Sequence, residues 1–178
     1  MIIALTGTNA AGKGEVANIL KEKGYNYYSL SDEIRAVATE RGMELTRENL
    51  INTGNEFRAK EGAGVWAKRV LKKIKGTNII VDSVRHPDEV RELRKKRAVL
   101  IAVDADVKLR FERALKRGRV GAETRLEDFI RIEKEESTND KNKQQLLNTI
   151  KMADYTVLNN GSLEELKQKI EEILTELE

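Results

Sequence analysis

The clearest chemical motif of the chain lies near its first residue. Residues 7–13, GTNAAGK, follow the apolar run IIAL at residues 2–5, with only Thr6 between them. Glycines let the backbone wrap closely around phosphate oxygens, so that successive N–H groups point inward, and the amine of Lys13 can reach the β- and γ-phosphates. The spacing therefore predicts a phosphate-binding loop for ATP. The residues expected to bind the nucleotide are Gly7, Thr8, Asn9, Ala10, Ala11, Gly12, Lys13, Gly14 and Glu15.

One part of this motif departs from the usual pattern. A Ser or Thr whose hydroxyl binds Mg²⁺ usually follows the lysine, whereas Lys13 is followed here by Gly14 and Glu15. Two carboxylates are candidates for holding Mg²⁺-bound water, because Asp82 and Asp104 each end an apolar run. The sequence therefore predicts Mg²⁺ as a cofactor that is coordinated largely through water.

Arginines are the candidate ligands for a second, phosphate-bearing substrate. A guanidinium matches phosphate oxygens in a bidentate way and keeps its charge. Arg35 lies one turn into the helix predicted after the second strand, and Arg85 follows the third strand. Ligands of open α/β sheets bind at the carboxyl ends of the strands, so we expect both residues to bind substrate, with Arg58 as a further candidate between them. Lys68 and Arg69 are more typical of solvated surface charges.

Length and composition limit the class of protein. The 178 residues suffice for one core, so we expect residues 1–178 to form a single domain. Charged residues make up 35%, but the net charge of +3 argues against a stable nucleic-acid complex. Without cysteine, disulfides and thiolate metal sites are excluded. No apolar run approaches the ~20 residues of a membrane span, so we expect a cytoplasmic protein with no membrane partner. The phosphate-binding loop indicates a small-molecule nucleotide substrate. We expect a monomer or a small homo-oligomer.

Short apolar segments alternate with amphipathic helical segments along the chain. This alternation is typical of an α/β fold, here with a central parallel sheet of five strands flanked by helices. The predicted strands are Met1–Thr6, Tyr27–Leu30, Asn78–Asp82, Ala98–Asp104 and Tyr155–Leu158.

Capping residues predict where several helices begin. Ser31 and Thr46 are expected at N-caps, and Pro87 suits the first turn of a helix. Thr124 begins a Thr-x-x-Glu capping box. Trp66 follows two glycines at the start of a helical pattern, and we expect it to pack in the core.

Four motifs together resemble those of nucleoside monophosphate kinases, adenylate kinase above all. They are the loop 7–14, residues 29–35, Asp82 with Arg85, and the basic segment 113–117. Residues 82–90 and 153–166 are similar to those of adenylate-kinase-like proteins of archaeal type and of deoxynucleoside monophosphate and dephospho-coenzyme A kinases. The loop of nucleoside monophosphate kinases ends in Gly-Lys-Gly-Thr, so Gly14 matches it and Glu15 is the departure. The resemblance spans nearly the whole chain and implies a P-loop NTPase fold with two excursions from the sheet, an acceptor-binding segment at about residues 31–75 and a lid at about residues 113–126.

This resemblance implies how the second substrate and the metal are bound. Asp32, Arg35 and Arg85 match the residues that bind the acceptor monophosphate in that family. The resemblance also favours Asp82 over Asp104 as the Mg²⁺ site, because Arg85 accompanies Asp82 in the same motif.

The implied reaction is phosphoryl transfer from ATP. Lys13, Arg113 and Arg117 would stabilise the charge of the transferred group, the two arginines as parts of the lid. A nucleoside or deoxynucleoside monophosphate needs no general base, because its phosphate oxygen is already a nucleophile. The 3′-hydroxyl of dephospho-coenzyme A, the alternative acceptor, needs a base, for which Asp32 is best placed. A non-catalytic ATP-binding switch is the other alternative, supported only by Gly14 and Glu15 in place of the usual hydroxyl.

Overall fold

One parallel sheet organises the described part of the chain. The computed structural model describes residues 1–118, 125–136 and 138–177. The strands are β1 (Ile2–Gly7), β2 (Asn26–Ser29), β3 (Ile79–Asp82), β4 (Val99–Asp104) and β5 (Tyr155–Leu158). They lie in the order β2-β3-β1-β4-β5, and every neighbouring pair is parallel. The α/β fold with a five-stranded parallel sheet is therefore confirmed.

Helices connect the strands and cover both faces of the sheet. The segment between β2 and β3 carries three of them, which form the region predicted to bind an acceptor. The helices are α1 (Lys13–Glu22), α2 (Leu30–Glu40), α3 (Arg47–Glu61), α4 (Val65–Lys73), α5 (Pro87–Arg94), α6 (Val107–Lys116), α7 (Leu126–Glu136), α8 (Leu146–Ile150) and α9 (Leu163–Leu177).

Side chains of the central strand alternate between two apolar cores, as the two-residue period of a strand requires. Ile3 and Leu5 of β1 pack on one face with α1 and α9, through residues such as Leu20 and Ile170. Ala4 lies in the core of the opposite face, which α2, α4 and α5 cover. With both faces buried, the loops at the carboxyl ends of the strands are left as the place for a ligand.

Several local predictions agree with the structure. The side chain of Thr46 accepts a hydrogen bond from the backbone N–H of Asn49 and caps α3. Pro87 is the first residue of α5. Trp66 is fully buried, and its indole N–H donates to the carbonyl of Gly54 at 3.2 Å. A buried tryptophan needs such an acceptor, and α3 thereby is fixed against α4.

The prediction of Ser31 as an N-cap is wrong. β2 leads directly into α2, so the cap position falls two residues earlier, on Ser29, whose backbone is still extended. The Ser31 hydroxyl instead accepts a hydrogen bond from Arg35 at 3.0 Å. The capping box predicted at Thr124 lies outside the described residues. Within the described ranges, no helix combines the length and the apolar character needed to cross a lipid bilayer.

Candidate functional site

The loop between β1 and α1 requires glycine at two positions. Gly7 has φ +139°, and a Cβ there would overlap the carbonyl oxygen of Val103 on β4. Gly12 has φ +105°, and a Cβ there would overlap the side-chain amide of Asn159. Backbones with positive φ are strained for residues with a side chain. The two glycines therefore allow the loop to lie close to β4 and to the end of β5.

Lys13 is the first residue of α1, and its amine is turned back into the loop. Its Nζ donates to the carbonyl of Gly7 at 2.8 Å and to that of Thr8 at 2.9 Å. The pKa of Lys13 is lowered to about 7, mainly by burial and next by the positive charge of the nearby Arg85, whereas Asp82 opposes the shift. A polyphosphate bound in the loop would place negative charge beside this amine and stabilise its protonated form.

Three side chains that sequence reasoning missed as supports hold the carbonyls of the loop. Asn159 donates through Nδ2 to the carbonyl of Ala11 at 2.8 Å, and Arg110 donates to the carbonyl of Asn9 at 3.3 Å. Arg113, predicted to be a lid residue, donates to the carbonyl of Ala11 at 3.5 Å and to that of Asn159 at 3.0 Å. The only available signal was the similarity of residues 153–166 to kinase sequences, because Asn159 is distant in the chain from the loop.

A cavity of about 730 Å³ lies over the loop and extends to the ends of β2 and β3. It brings together predicted residues from four separate segments of the chain. Those lining it are Asn9, Ala10, Ala11, Gly12, Lys13, Gly14, Glu15, Asp32, Arg35, Asp82, Arg85 and Arg117. Cationic side chains thus converge on one space beside the loop, as the binding of a polyphosphate requires.

Four predicted residues are not among the lining residues of this cavity. Gly7 and Thr8 form the buried base of the loop, and Arg113 is engaged with backbone carbonyls behind it. Arg58 lies further away, in an ion pair on the acceptor side. These residues shape the site around the cavity, whereas Lys13 lines it directly.

The two candidate aspartates have different environments. Asp82 lines the cavity; its Oδ2 accepts a hydrogen bond from the Tyr27 hydroxyl at 2.9 Å, and its Oδ1 accepts one from the N–H of Ser83. Burial, together with the negative charge of Asp82, raises the pKa of Tyr27, so that the hydroxyl remains a donor. Asp104 instead accepts the Thr8 hydroxyl at 2.6 Å and the N–H of Ala105.

The donor set fits Mg²⁺ bound by one carboxylate. No group of three or more His, Cys, Asp or Glu side chains suited to a metal occurs in the part of the chain that the structure describes. Mg²⁺ commonly uses one or two carboxylates together with water and substrate phosphates. Asp82 meets this requirement because its carboxylate faces the cavity beside Lys13, whereas Asp104 is engaged with the base of the loop.

Glu15, which stands where the Gly-Lys-Gly-Thr loop of nucleoside monophosphate kinases has its Thr, forms an ion pair over the loop. Its Oε1 lies 3.3 Å from Nη2 of Arg117, at the end of α6. Both side chains are about two-fifths exposed and both line the cavity. Glu15 therefore links the start of α1 to the beginning of the predicted lid. Residues 119–124, including Gly121 and the rest of that lid up to Arg125, lie outside the described residues.

A second cavity of about 660 Å³ continues from the first towards α2 and α3. The two cavities share Asn9, Ser31, Arg35, Ser83 and Arg85. Beyond this shared border, the second cavity has aliphatic and cationic walls with one amide. Its remaining lining residues are Ile34, Leu45, Arg47, Leu50, Ile51, Arg58, Gly118 and Gln144.

The predicted acceptor residues differ in how they are engaged. Arg35 donates to Oδ1 of Asp32 at 2.7 Å, and both side chains are exposed. Arg85 lines both cavities. Arg58, in contrast, is buried and paired with Glu89, with 2.9 Å between Nη2 and Oε1. Glu89 also caps α5 together with His86, whose Nδ1 accepts from the N–H of Asp88. Among the residues predicted to bind the acceptor, Asp32 and Arg35 are therefore exposed, whereas Arg58 is buried.

Similar sequences belong to one group of proteins. A family model described as AAA domain matches residues 3–140. A UPF0200 protein of Sulfurisphaera tokodaii is 36% identical over 175 residues, which cover 97% of this chain and 95% of that protein. A UPF0200 protein of Pyrococcus horikoshii is 31% identical over 190 residues, with 99% and 97% covered.

Similar solved structures share the fold. TT1252 from Thermus thermophilus has a TM-score of 0.64 at 20% identity and covers 100% of this chain and 98% of its own. A shikimate kinase from Bacteroides thetaiotaomicron has a TM-score of 0.64 at 16% identity, with 98% of each chain covered. A gluconokinase from Sinorhizobium meliloti has a TM-score of 0.56 at 15% identity, covering 98% and 91%. The chain is therefore a member of the AAA domain family and of the UPF0200 proteins, and it has a P-loop kinase-like fold.

Proposed function

We propose that this protein transfers the γ-phosphoryl group of ATP to a nucleoside or deoxynucleoside monophosphate. The observation that carries the proposal is the composition of the first cavity. Lys13 and its loop line one part of it, and Arg35, which follows β2, and Arg85, which follows β3, line another. A protein that only bound ATP would need the loop but not a second cationic site next to it. A phosphoryl donor and a phosphorylated acceptor need both.

The chemistry assigned to these residues is mainly positioning and charge stabilisation. The loop amides and Lys13 bind the β- and γ-phosphates, and Arg85 draws the acceptor phosphate towards Lys13. An acceptor oxygen then attacks the γ-phosphorus in line while the bond to the β-phosphate oxygen breaks, giving ADP and a nucleoside diphosphate. Arg117 adds positive charge at the open side. Mg²⁺, when bound at Asp82, neutralises charge on the phosphate oxygens.

The second cavity favours an acceptor that already carries a phosphate. Four arginines line it, and no carboxylate does among the residues that the structure describes. A monophosphate needs cationic partners and no general base. The aliphatic side chains of Leu45, Leu50 and Ile51 provide an apolar wall against which a nucleobase can pack.

Dephospho-coenzyme A is retained as a second candidate acceptor because of Asp32. The Asp32 carboxylate lines the first cavity, where it could accept a proton from the 3′-hydroxyl of this acceptor. The expected effect of Asp32→Asn on activity differs between the two acceptors. This change should remove activity with a hydroxyl acceptor, whereas activity with a monophosphate should persist.

A substrate screen tests the proposed function. Purified protein is incubated with ATP, Mg²⁺ and one acceptor at a time, using AMP, GMP, CMP, UMP, dTMP or dephospho-coenzyme A, and ADP formation is measured. We expect acceptor-dependent ADP formation with at least one monophosphate. Activity with dephospho-coenzyme A alone would replace the main proposal by the second candidate, and no acceptor-dependent activity would contradict both.

Variants of the two arginines test where the acceptor binds. Arg35→Ala and Arg85→Ala should each raise the acceptor KM or lower kcat by about tenfold or more, because a charge-assisted phosphate contact is lost. The affinity for ATP should change little. Arg91→Ala, on the exposed face of α5, is the control. Equal losses of ATP affinity in both variants would show that the acceptor site has been assigned wrongly.

A further inference from the structure

Arg58 and Glu89 form a buried ion pair between α3 and α5. Nη2 and Nε of Arg58 lie 2.9 Å and 3.3 Å from Oε1 of Glu89. The two side chains are 2% and 0% exposed. The pair joins the acceptor-binding segment to the helix that follows β3.

The other oxygen of Glu89 holds the turn that carries Arg85. Oε2 accepts hydrogen bonds from the backbone N–H of Arg85 at 2.8 Å and of His86 at 3.1 Å. One carboxylate is therefore shared: Oε1 binds the guanidinium on α3, and Oε2 binds two successive amides at the edge of both cavities. A shift of this carboxylate would move the backbone from which the Arg85 side chain extends.

Stability alone is a weak explanation for this pair. Replacing a buried ion pair by apolar side chains of similar volume is often neutral or stabilising, because both charges lose their hydration on folding. The position of the pair offers a functional explanation. Arg85 lines both cavities, and its charge contributes to the lowered pKa of Lys13, so it lies close to where a phosphoryl group would pass.

We propose that Arg58 is a positioning residue that acts on the acceptor through Glu89 and Arg85. Its guanidinium orients the Glu89 carboxylate, which fixes the Arg85–His86 turn and so directs Arg85 towards the acceptor phosphate. This inference rests on the proposed function. Direct contact between Arg58 and the acceptor is the competing role, since Arg58 also lines the second cavity.

A double-mutant cycle separates the two roles. Arg58→Met, Glu89→Leu and the double variant are compared with the wild type, using the monophosphate with the highest kcat/KM in the screen. Each single change should raise the acceptor KM by about tenfold while the Kd for ATP stays within about twofold. If Arg58 acts through Glu89, the double variant should lie within about threefold of Glu89→Leu. Losses that multiply would show direct contact and overturn the inference, as would an unchanged KM in Arg58→Met.

A second pair of variants keeps the test decisive if a single variant fails to fold. The two variants are Arg58→Met/Glu89→Leu and Arg58→Met/Glu89→Gln. Both lose Arg58, and neither leaves an unpaired charge in the core, so they differ only in the side chain at position 89. Only the glutamine returns an oxygen that can accept from the amides of the turn. The positioning role predicts an acceptor KM at least about threefold lower for the glutamine variant. Equal KM values for the two would overturn it.

Glu92→Gln is the matched control, because it removes an ion-paired carboxylate from the same helix without touching the turn. It should leave the acceptor KM unchanged. A Tm measured for every variant separates a general loss of stability from the expected change in acceptor KM. A wild type inactive with all monophosphates would overturn the proposed function and this inference with it, whereas an active wild type with a failed cycle overturns the inference alone.

Discussion

The carboxyl ends of β3 and β4 have similar sequences but different environments. Each strand ends in a Val-Asp pair after an apolar run, and each lies directly beside β1. Asp82 faces the cavity and is held by Tyr27. Asp104 is not among the lining residues of that cavity; its Oδ1 accepts from the Thr8 hydroxyl and lies 3.8 Å from Arg110, and its side chain is 40% exposed. Asp82 is only 8% exposed, so its place on the cavity wall, and not its exposure to solvent, makes it the candidate for chemistry.

Charged groups from both sides act on Lys13, and the stronger of them come from the end of β3. Asp82 and Arg85, both from the end of β3, are among the groups that shift its pKa, with burial as the main cause. On the β4 side, Arg110 lowers and Glu133 of α7 raises the same pKa to a smaller extent. Arg110 is bound to Glu133, to the carbonyl of Ala105 after β4 and to the carbonyl of Asn9 in the loop. The end of β3 therefore faces the candidate substrates, whereas the end of β4 supports the loop.

The largest expected effect comes from Lys13, which lies between the two strand ends. Lys13→Met should lower the rate of phosphoryl transfer by about 100-fold or more, about 3 kcal/mol, as is typical for loss of a preorganised charge. Single-turnover kinetics at saturating ATP measure this. Lys23→Met, at the other end of the same helix, is the control. Unaltered turnover in Lys13→Met would exclude the proposed kinase activity.

The comparison itself is tested by Asp82→Asn and Asp104→Asn. Asp82→Asn should lower kcat about 100-fold, about 2.7 kcal/mol, and raise the Mg²⁺ concentration needed for half-maximal activity. Asp104→Asn should change kcat by less than about tenfold and act mainly on Tm, because it weakens a support of the loop. Activity titrated with Mg²⁺ and thermal unfolding measure the two effects. The reverse order would assign the metal site to the end of β4.

A smaller effect is expected from Glu15. Glu15→Thr restores the usual hydroxyl but removes the ion pair with Arg117, so kcat should change by less than about tenfold, roughly 1.4 kcal/mol. Steady-state kinetics with varied Mg²⁺ check this, with Glu22→Thr, further along the same helix, as the control. A large gain of activity from a nearly inert wild type would instead support the ATP-binding switch.

The smallest expected effect is the uptake of a proton by Lys13 when ATP binds. With a pKa of about 7, Lys13 is mostly neutral at pH 8 in the free protein. Bound phosphates favour its charged form and raise this pKa, so we expect an uptake of roughly 0.5 to 0.9 proton per ATP at pH 8. Calorimetry in buffers of different ionisation enthalpy measures the uptake, and Lys13→Met should lose it. An equal uptake in that variant would assign the proton to another group.

The same pKa affects stability in a defined direction. The unfolded chain holds the Lys13 proton up to the ordinary lysine pKa of 10.5, whereas the folded protein releases it near pH 7. Because the unfolded state then binds more protons, this group makes the free energy of unfolding rise with pH between about 7 and 10.5. Comparing the pH dependence of denaturant unfolding between the wild type and Lys13→Met isolates that contribution.

Local sequence alone sufficed for the loop, the five strands and several helix starts. The loop is contiguous, and its glycines, lysine and preceding apolar run act over a few residues. The strands are short apolar segments buried on both faces, so their positions follow from composition and alternation. The cap at Ser31 was misplaced because β2 continues into α2 without a connecting loop.

Tertiary structure decided which polar residues serve the ligand and which serve the fold. Asp82 and Asp104 differ only in which elements lie against them. Arg58 meets Glu89 31 positions further along the chain, and Asn159 meets Ala11 across 148 positions. Such partners are chosen by strand order and helix packing, because a buried polar group must find its partner wherever the fold brings one within hydrogen-bonding distance.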